Sequence, residues 1–205
     1  MNLFLRAKHW QIFLITFALP FVLQITLVAT TVYNIIQNND PSLILGYIKF
    51  LPLVIIVFMG GIFGWQWSVA IGLQKKIPAG INMKVTQFKI FFFIPVVYML
   101  LFSVFISSMF NADIFHGGQP DPRIFYLFPI IFPLHLFAMF CLFYCIYFVA
   151  KTIKTVELQR EVTFNDFVAE FFLTWFHFIG IWILQPRINK MAEENTPDLA
   201  ELKEM

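Results

Sequence analysis

Four long apolar runs constrain this sequence more than any other feature. They cover about residues 10–36, 43–74, 88–110 and 124–150 of the 205-residue chain. A helix needs about 20 mostly apolar residues to cross a bilayer core of roughly 30 Å. The strands of a membrane barrel are shorter and alternate in polarity, whereas these runs are continuously apolar. The runs therefore predict four transmembrane helices.

The composition agrees with a chain that is embedded in a lipid bilayer. Hydrophobic residues make up 60% of the sequence and charged residues only 13%, whereas a soluble domain is about a quarter charged. The chain has too few charged residues to cover a water-facing surface. Its net charge of +2 is too small to indicate a basic surface that binds nucleic acid. We therefore expect an all-α polytopic integral membrane protein with the lipid bilayer as its surroundings and no nucleic-acid partner.

The basic residues predict the orientation of the spans. Cytoplasmic loops carry an excess of Lys and Arg. Here Arg6 and Lys8 precede the first span, and most other basic residues fall in the second-to-third loop or just after the fourth span, whereas the opposite loops contain only Arg123. The sequence thus predicts cytoplasmic termini and favours a bacterial inner (plasma) membrane. Anionic headgroups are expected to contact Lys75, Lys76, Lys84, Lys151 and Lys154.

A shorter apolar segment follows the fourth span. Thr163 and Asp166 match a capping box at the start of a helix over about residues 164–185, and Pro186 is expected to end it. Its apolar part is too short to span a membrane. We predict an amphipathic interfacial or re-entrant helix that completes one membrane domain over residues 1–185, followed by a polar cytoplasmic tail over residues 186–205.

Four polar residues form one stripe on this helix: Asp166, Glu170, Thr174 and His177. The stripe is either a capping acid followed by a solvated face, or a site. Glu170 and His177 lie about 10 Å apart along a helix, too far to share a metal without another ligand. The four histidines of the chain are scattered along it, and we expect neither a metal nor a cofactor.

Small residues recur every four positions in the second span, at Gly60, Gly64, Ser68 and Gly72. That spacing places them near one helix face, and such rows let membrane helices approach closely. Two interpretations are open: the row packs against another part of the same chain, or it docks a partner.

The spans contain two internal ionisable residues, Lys49 and His135, and such residues are candidates for function. The plainer interpretation is that Lys49 reaches water from near the outer end of its span and that His135 has a hydrogen-bond partner. The alternative is a ligand or proton site at the outer side, formed with residues of the loop before the fourth span: Asp113, His116, Asp121 and Arg123.

The sequence indicates only a general class of function. The sequence has no HExxH, Walker A, GxSxG or GxGxxG pattern. It favours a non-catalytic accessory or scaffold subunit whose partner is another membrane protein or a second copy of the chain. The alternative is a small transporter, channel or membrane enzyme with an outer pocket near Lys49 and His135.

Overall fold

The structure, a computed structural model, describes residues 3–109 and 123–193. All regular structure in these residues is helical. The α-helices, in chain order, are α1 Leu3–Arg6, α2 His9–Phe13, α3 Leu19–Asn38, α4 Ile44–Gly72, α5 Val85–Met109, α6 Arg123–Leu158, α7 Phe164–Trp175 and α8 His177–Glu193. A π-helical segment, Leu14–Ala18, joins α2 to α3, and short 3-10 turns occupy Pro41–Leu43 and Gln74–Lys76.

Four helical stretches are long and apolar enough to cross a membrane. They are His9–Asn38, Pro41–Lys76, Val85–Ser107 and Tyr126–Leu158. Each overlaps one of the four apolar runs, so the prediction of four membrane-crossing helices in an all-helical chain is confirmed at this level. At about 1.5 Å per residue, the longest helix, α6, extends over roughly 54 Å, which exceeds the thickness of a bilayer core.

The π-helical segment in the first stretch has a local cause. Pro20 has no backbone N–H and cannot complete an ordinary helical bond to the carbonyl of Thr16. The helix widens over Leu14–Ala18, just before this proline. Neighbouring backbone in a membrane helix can adjust in this way to accommodate proline.

The chain forms two compact units. The first contains residues 1–13, 63–83 and 146–205, and the second contains residues 14–62 and 84–145. The first unit therefore combines the N-terminal helices, the end of α4, the end of α6 and the α7–α8 pair. The second contains the remaining parts of the four long stretches.

The predicted single helix over residues 164–185 is wrong in two respects. It is interrupted at Phe176, whose ψ of 56° is not helical, and α8 then continues past Pro186 to Glu193. Pro186 removes one backbone bond, but Leu184 and Ile188 on either side of it are fully buried. The helix therefore continues through the point where the polar tail was predicted to begin, and the division into a membrane domain and a tail stays a prediction.

The interruption brings two backbone segments very close together. A Cβ atom added to Gly180 would lie 1.7 Å from the carbonyl oxygen of Leu173. Because real Cβ atoms never approach this closely, the turn between α7 and α8 requires glycine at position 180. The N–H groups of Ile179 and Gly180 donate to the Phe176 carbonyl at 3.0 and 2.9 Å and begin α8.

Candidate functional site

The N-terminus of α7 is capped as predicted. The Asp166 carboxylate accepts hydrogen bonds from the backbone N–H and the hydroxyl of Thr163, at 2.8 and 2.9 Å. Arg160 also donates to this carboxylate, at 2.7 Å. The Arg160 guanidinium, together with the Thr163 donors, holds the pKa of Asp166 well below its usual range. Asp166 therefore stays ionised and fixes the start of the helix.

The rest of the polar stripe is buried. Glu170, Thr174 and His177 are 3%, 2% and 7% exposed, so the alternative of a solvated face does not describe them. Glu170 Oε1 accepts hydrogen bonds from Arg187 at 2.7 Å and from Lys154 at 3.3 Å. The stripe thus faces the interior of the first unit, where its carboxylate is paired with two cations.

A second carboxylate extends this ion-pair cluster. Arg187 donates from Nε and Nη2 to the two oxygens of Glu157, at 3.0 and 2.6 Å, and Lys154 donates to the same carboxylate at 2.8 Å. Two cations and two carboxylates therefore connect α6, α7 and α8. A paired arrangement of this kind avoids the cost of leaving a buried charge uncompensated.

His177 lies further along the stripe, beside the ring of Trp65. The ring centroids are 4.8 Å apart in an edge-to-face arrangement, and His177 Nε2 is buried without a hydrogen-bond partner among the described residues. Burial lowers the pKa of His177 to about 4. The imidazole is therefore neutral at physiological pH and acts as a packed ring rather than as a charge.

Gln185 is the most connected polar residue of α8, and it is fully buried. Its Oε1 accepts from the indole N–H of Trp65 at 2.8 Å, and its Nε2 donates to the carbonyls of Phe4 and Ala7 at 2.7 and 3.1 Å. Carbonyls at the end of a short helix have no partner within that helix. Gln185 supplies these partners to α1, and Asn189 adds a bond to the Ala7 carbonyl at 3.1 Å.

Sequence reasoning missed Gln185, Trp65 and Arg187 as members of this polar core. One signal was available: Gln185 directly follows the apolar run over residues 178–184, and an amide on the buried side of such a helix needs buried partners. Which partners it would find could not be read from the sequence, because Phe4 lies 181 positions away.

The row of small residues packs in part against the N-terminal segment. A Cβ at Gly64 would lie 3.1 Å from the Phe4 ring, and one at Gly72 would lie 2.5 Å from a methyl of Leu5, whereas Gly60 has nothing within 4 Å. Ser68 is 5% exposed. Of the two interpretations of the row, these contacts favour packing within the chain for Gly64 and Gly72.

The predicted outer-side site can be placed only in part. Asp113, His116 and Asp121 lie outside the described residues, and Arg123 begins α6. Lys49 is exposed on α4. His135 has the hydrogen-bond partner that a histidine within a span needs, since its Nδ1 lies 3.0 Å from the Tyr98 hydroxyl. The convergence of these residues on one pocket stays a prediction.

One cavity borders the Tyr98–His135 hydrogen bond, and another borders the ion-pair cluster. An apolar one of about 570 Å³ lies between α5 and α6 and is lined in part by Tyr98, Phe102 and Leu134. A polar one of about 560 Å³ lies beside the ion-pair cluster and is lined in part by Arg187 and Glu157. Within the described ranges, no three His, Cys, Asp or Glu side chains are grouped to hold a metal.

Comparison with known proteins adds no relative: no family model matches the chain, and no curated protein or solved structure is significantly similar to it.

Proposed function

We propose that this protein is a non-catalytic integral membrane protein that acts as an accessory or scaffold subunit of a larger membrane assembly. The supporting observation is that α7 and α8 have a buried side with polar residues and an exposed side that is apolar. The buried side chains of Glu170 and Gln185 bond within the first unit, and the outward side of the two helices is a broad apolar surface. Its large side chains are about half exposed: Phe172, Trp175, Phe176, Phe178, Ile179, Trp182 and Ile183.

The proposed topology has four spans, with both termini in the cytoplasm and α7–α8 lying along the cytoplasmic boundary. The excess of Lys and Arg at one end of the spans supports this orientation. Because α6 exceeds the bilayer core in length, its last turns, which carry Lys151 and Lys154, project beyond it. Trp175 and Trp182 suit an interfacial position, and anionic headgroups are the proposed contacts of the basic residues at this boundary.

The proposed partner is a different membrane protein that covers the α7–α8 apolar surface. Gly64 and Gly72 already pack against the N-terminal helix α1, so the small-residue row offers little room for docking. A surface held rigid by contacts behind it loses little conformational entropy when a partner binds, which is the physical property a scaffold needs.

The test is the composition of the native complex. The full chain, tagged and expressed at its native level, is purified in mild detergent and its mass is measured by native mass spectrometry. We expect a second, different polypeptide in fixed ratio. Ile179→Ser should remove that polypeptide, and Leu158→Ser, which alters an exposed residue at the end of α6, should retain it. A monomer or a homo-oligomer alone would contradict the proposal.

The alternative function, a small transporter, channel or membrane enzyme, has one observation in its favour. The Tyr98–His135 hydrogen bond lies at the border of the apolar cavity, so a polar group is available beside a space that could hold an apolar molecule. His135→Ala and Lys49→Ala test it. If both variants keep the cellular phenotype and the stability of the parent protein, this alternative is ruled out.

A further inference from the structure

The polar cavity of about 560 Å³ in the first unit is lined mainly by polar and charged residues. It lies where the ends of α6 and α8 meet the 3-10 turn that follows α4. Its polar lining residues are Lys76, Glu157, Gln159, Arg187 and Lys190. A volume of this size is in the range of small-molecule sites, and three of the five side chains are cationic.

The charge of the lining favours an anion. The carboxylate among the lining residues, Glu157, is already bonded to Arg187 and Lys154. The C-termini of α6 and α8 each add about half a negative charge. Lys76 offsets this at α8, because its ammonium donates to the carbonyls of Met191 and Ala192. With the whole ion-pair cluster counted, four cations (Lys76, Lys154, Arg187 and Lys190) stand against two carboxylates (Glu157 and Glu170) and two helix ends. About one net positive charge remains.

Hydrogen-bond donors remain available at the cavity. Arg187 uses Nε and Nη2 on the carboxylates, and no bond from its Nη1 is found among the described residues, so two guanidinium N–H groups can still donate. The Lys76 ammonium makes two bonds to carbonyls and has three N–H groups. The Gln159 amide, by contrast, is occupied by the carbonyls of Lys76 and Val156.

The cations Arg187 and Lys76 are held in place by hydrogen bonds. Arg187 is held by two carboxylates, and Lys76 is held at the end of α8, so neither cation has to be ordered when a ligand arrives. A fixed guanidinium and an ammonium that line the same cavity suit the oxygens of a phosphate group, which both kinds of group bind through charge-assisted hydrogen bonds.

We infer that this cavity is a binding site for a phosphate group, held by Arg187, Lys76 and Lys190. The phosphate belongs either to an anionic phospholipid or to a soluble phosphate compound, since both present the same oxygens. The lipid source rests on the proposed position of α7–α8 at the cytoplasmic boundary. The site itself does not depend on a partner subunit.

The test is direct binding to the full-length protein in a non-ionic detergent. Calorimetry measures the binding of three probes: dioctanoyl phosphatidylglycerol, dioctanoyl phosphatidylcholine and inorganic phosphate. The variant is Lys190→Gln, which alters an exposed cation of the lining. The matched control is Lys75→Gln, since Lys75 is also exposed and precedes Lys76 but does not line the cavity. Melting temperatures verify that both variants are folded.

We expect phosphatidylglycerol or inorganic phosphate to bind more tightly than phosphatidylcholine, and Lys190→Gln to weaken that binding about fivefold, the effect of about 1 kcal/mol per basic residue. Lys75→Gln should change it by less than about twofold. Competition of inorganic phosphate with the lipid identifies one shared site, and binding of phosphate alone identifies a soluble source. Equal losses in the two variants, or no binding of either anionic probe, would overturn the inference. Neither result depends on a co-purifying subunit, so failure here is distinct from failure of the proposed function.

Discussion

The two units of this chain bury different kinds of side chain. Among the described residues, all the buried polar side chains except Thr16 and Ser103 belong to the first unit. The second unit buries mostly aromatic, aliphatic and cysteine side chains, such as Phe88, Phe92 and Cys145. The first unit contains parts of three of the four long apolar stretches and none of the third. Its buried polar side chains lie both on the ends of α4 and α6 and on the short helices α7 and α8, which the second unit does not contain.

This difference indicates which interactions select one particular packing of the helices in such a chain. Lipid is as apolar as a leucine side chain, so burial of apolar residues does little to select one packing of helices within it. Buried hydrogen bonds and ion pairs are selective, because a displaced partner leaves a polar group unsatisfied. We therefore expect the first unit to respond more strongly than the second to removal of a single polar group.

The largest expected effect is that of Gln185→Leu. The substitution leaves the Trp65 indole N–H and the Phe4 carbonyl without their partner and removes one of the two bonds to the Ala7 carbonyl. Each buried unsatisfied group costs about 1–3 kcal/mol. We expect the free energy of unfolding in detergent to fall by about 4 kcal/mol. The matched change in the second unit is Gln24→Leu, which removes a partly buried bond to the Tyr47 hydroxyl and should cost about 1 kcal/mol. Equal losses would remove the contrast between the units.

Gly180→Ala should have the next largest effect. Its Cβ would collide with the Leu173 carbonyl oxygen, so the turn between α7 and α8 must open, at a cost of about 3 kcal/mol, the scale of severe local strain. Gly60→Ala in the second unit is the control, since the added methyl has open space and alanine favours a helix by about 1 kcal/mol. The two variants should shift the melting temperature in opposite directions. A neutral Gly180→Ala would show that the close approach is not required.

Glu170→Gln tests the ion-pair cluster. The variant leaves Lys154 and Arg187 facing a neutral amide at a buried position, and we expect the free energy of unfolding to fall by about 2 kcal/mol. Glu157 takes part in the same cluster but its side chain is 32% exposed, so Glu157→Gln should cost less than about 1 kcal/mol. A larger loss at Glu157 than at Glu170 would show that burial does not govern the strength of the cluster.

The smallest predicted effect is a dependence of stability on pH through His177. Its pKa is about 4 in the folded protein and 6.5 when unperturbed, so between these values the unfolded chain binds the proton more readily. Stability should be complete above pH 6.5 and fall as the pH decreases towards 4, by about 1.4 kcal/mol per pH unit. At pH 5.5 the loss is about 1 kcal/mol.

His177→Phe isolates this contribution. Denaturation of the parent and the variant at pH 7.5 and 5.5 should show a smaller difference between the two pH values for the variant. If both proteins lose the same stability on acidification, other groups are responsible and His177 is not the titrating residue.

The sequence predicted some of these features well and others not at all. Continuous apolar length was sufficient for the four membrane-crossing helices, because span length depends on bilayer thickness alone. The Thr163–Asp166 cap was also predictable, because it depends only on residues close in sequence. The interruption at Phe176 was not, because it depends on Gly180 meeting the Leu173 carbonyl in three dimensions. For the same reason the partners of Glu170 could not be predicted, because its cations, Lys154 and Arg187, lie on other helices.

The measurement that tests the account most directly is the side of the membrane on which the chain ends. Two reporters are fused separately after Met205: a phosphatase that is active only outside the cytoplasm, and a fluorescent protein that matures only inside it. Four spans with α7–α8 at the cytoplasmic boundary predict a fluorescent fusion and an inactive phosphatase. An active phosphatase with no fluorescence would mean that α7–α8 crosses the membrane, and it would contradict the proposed topology and the scaffold that rests on it.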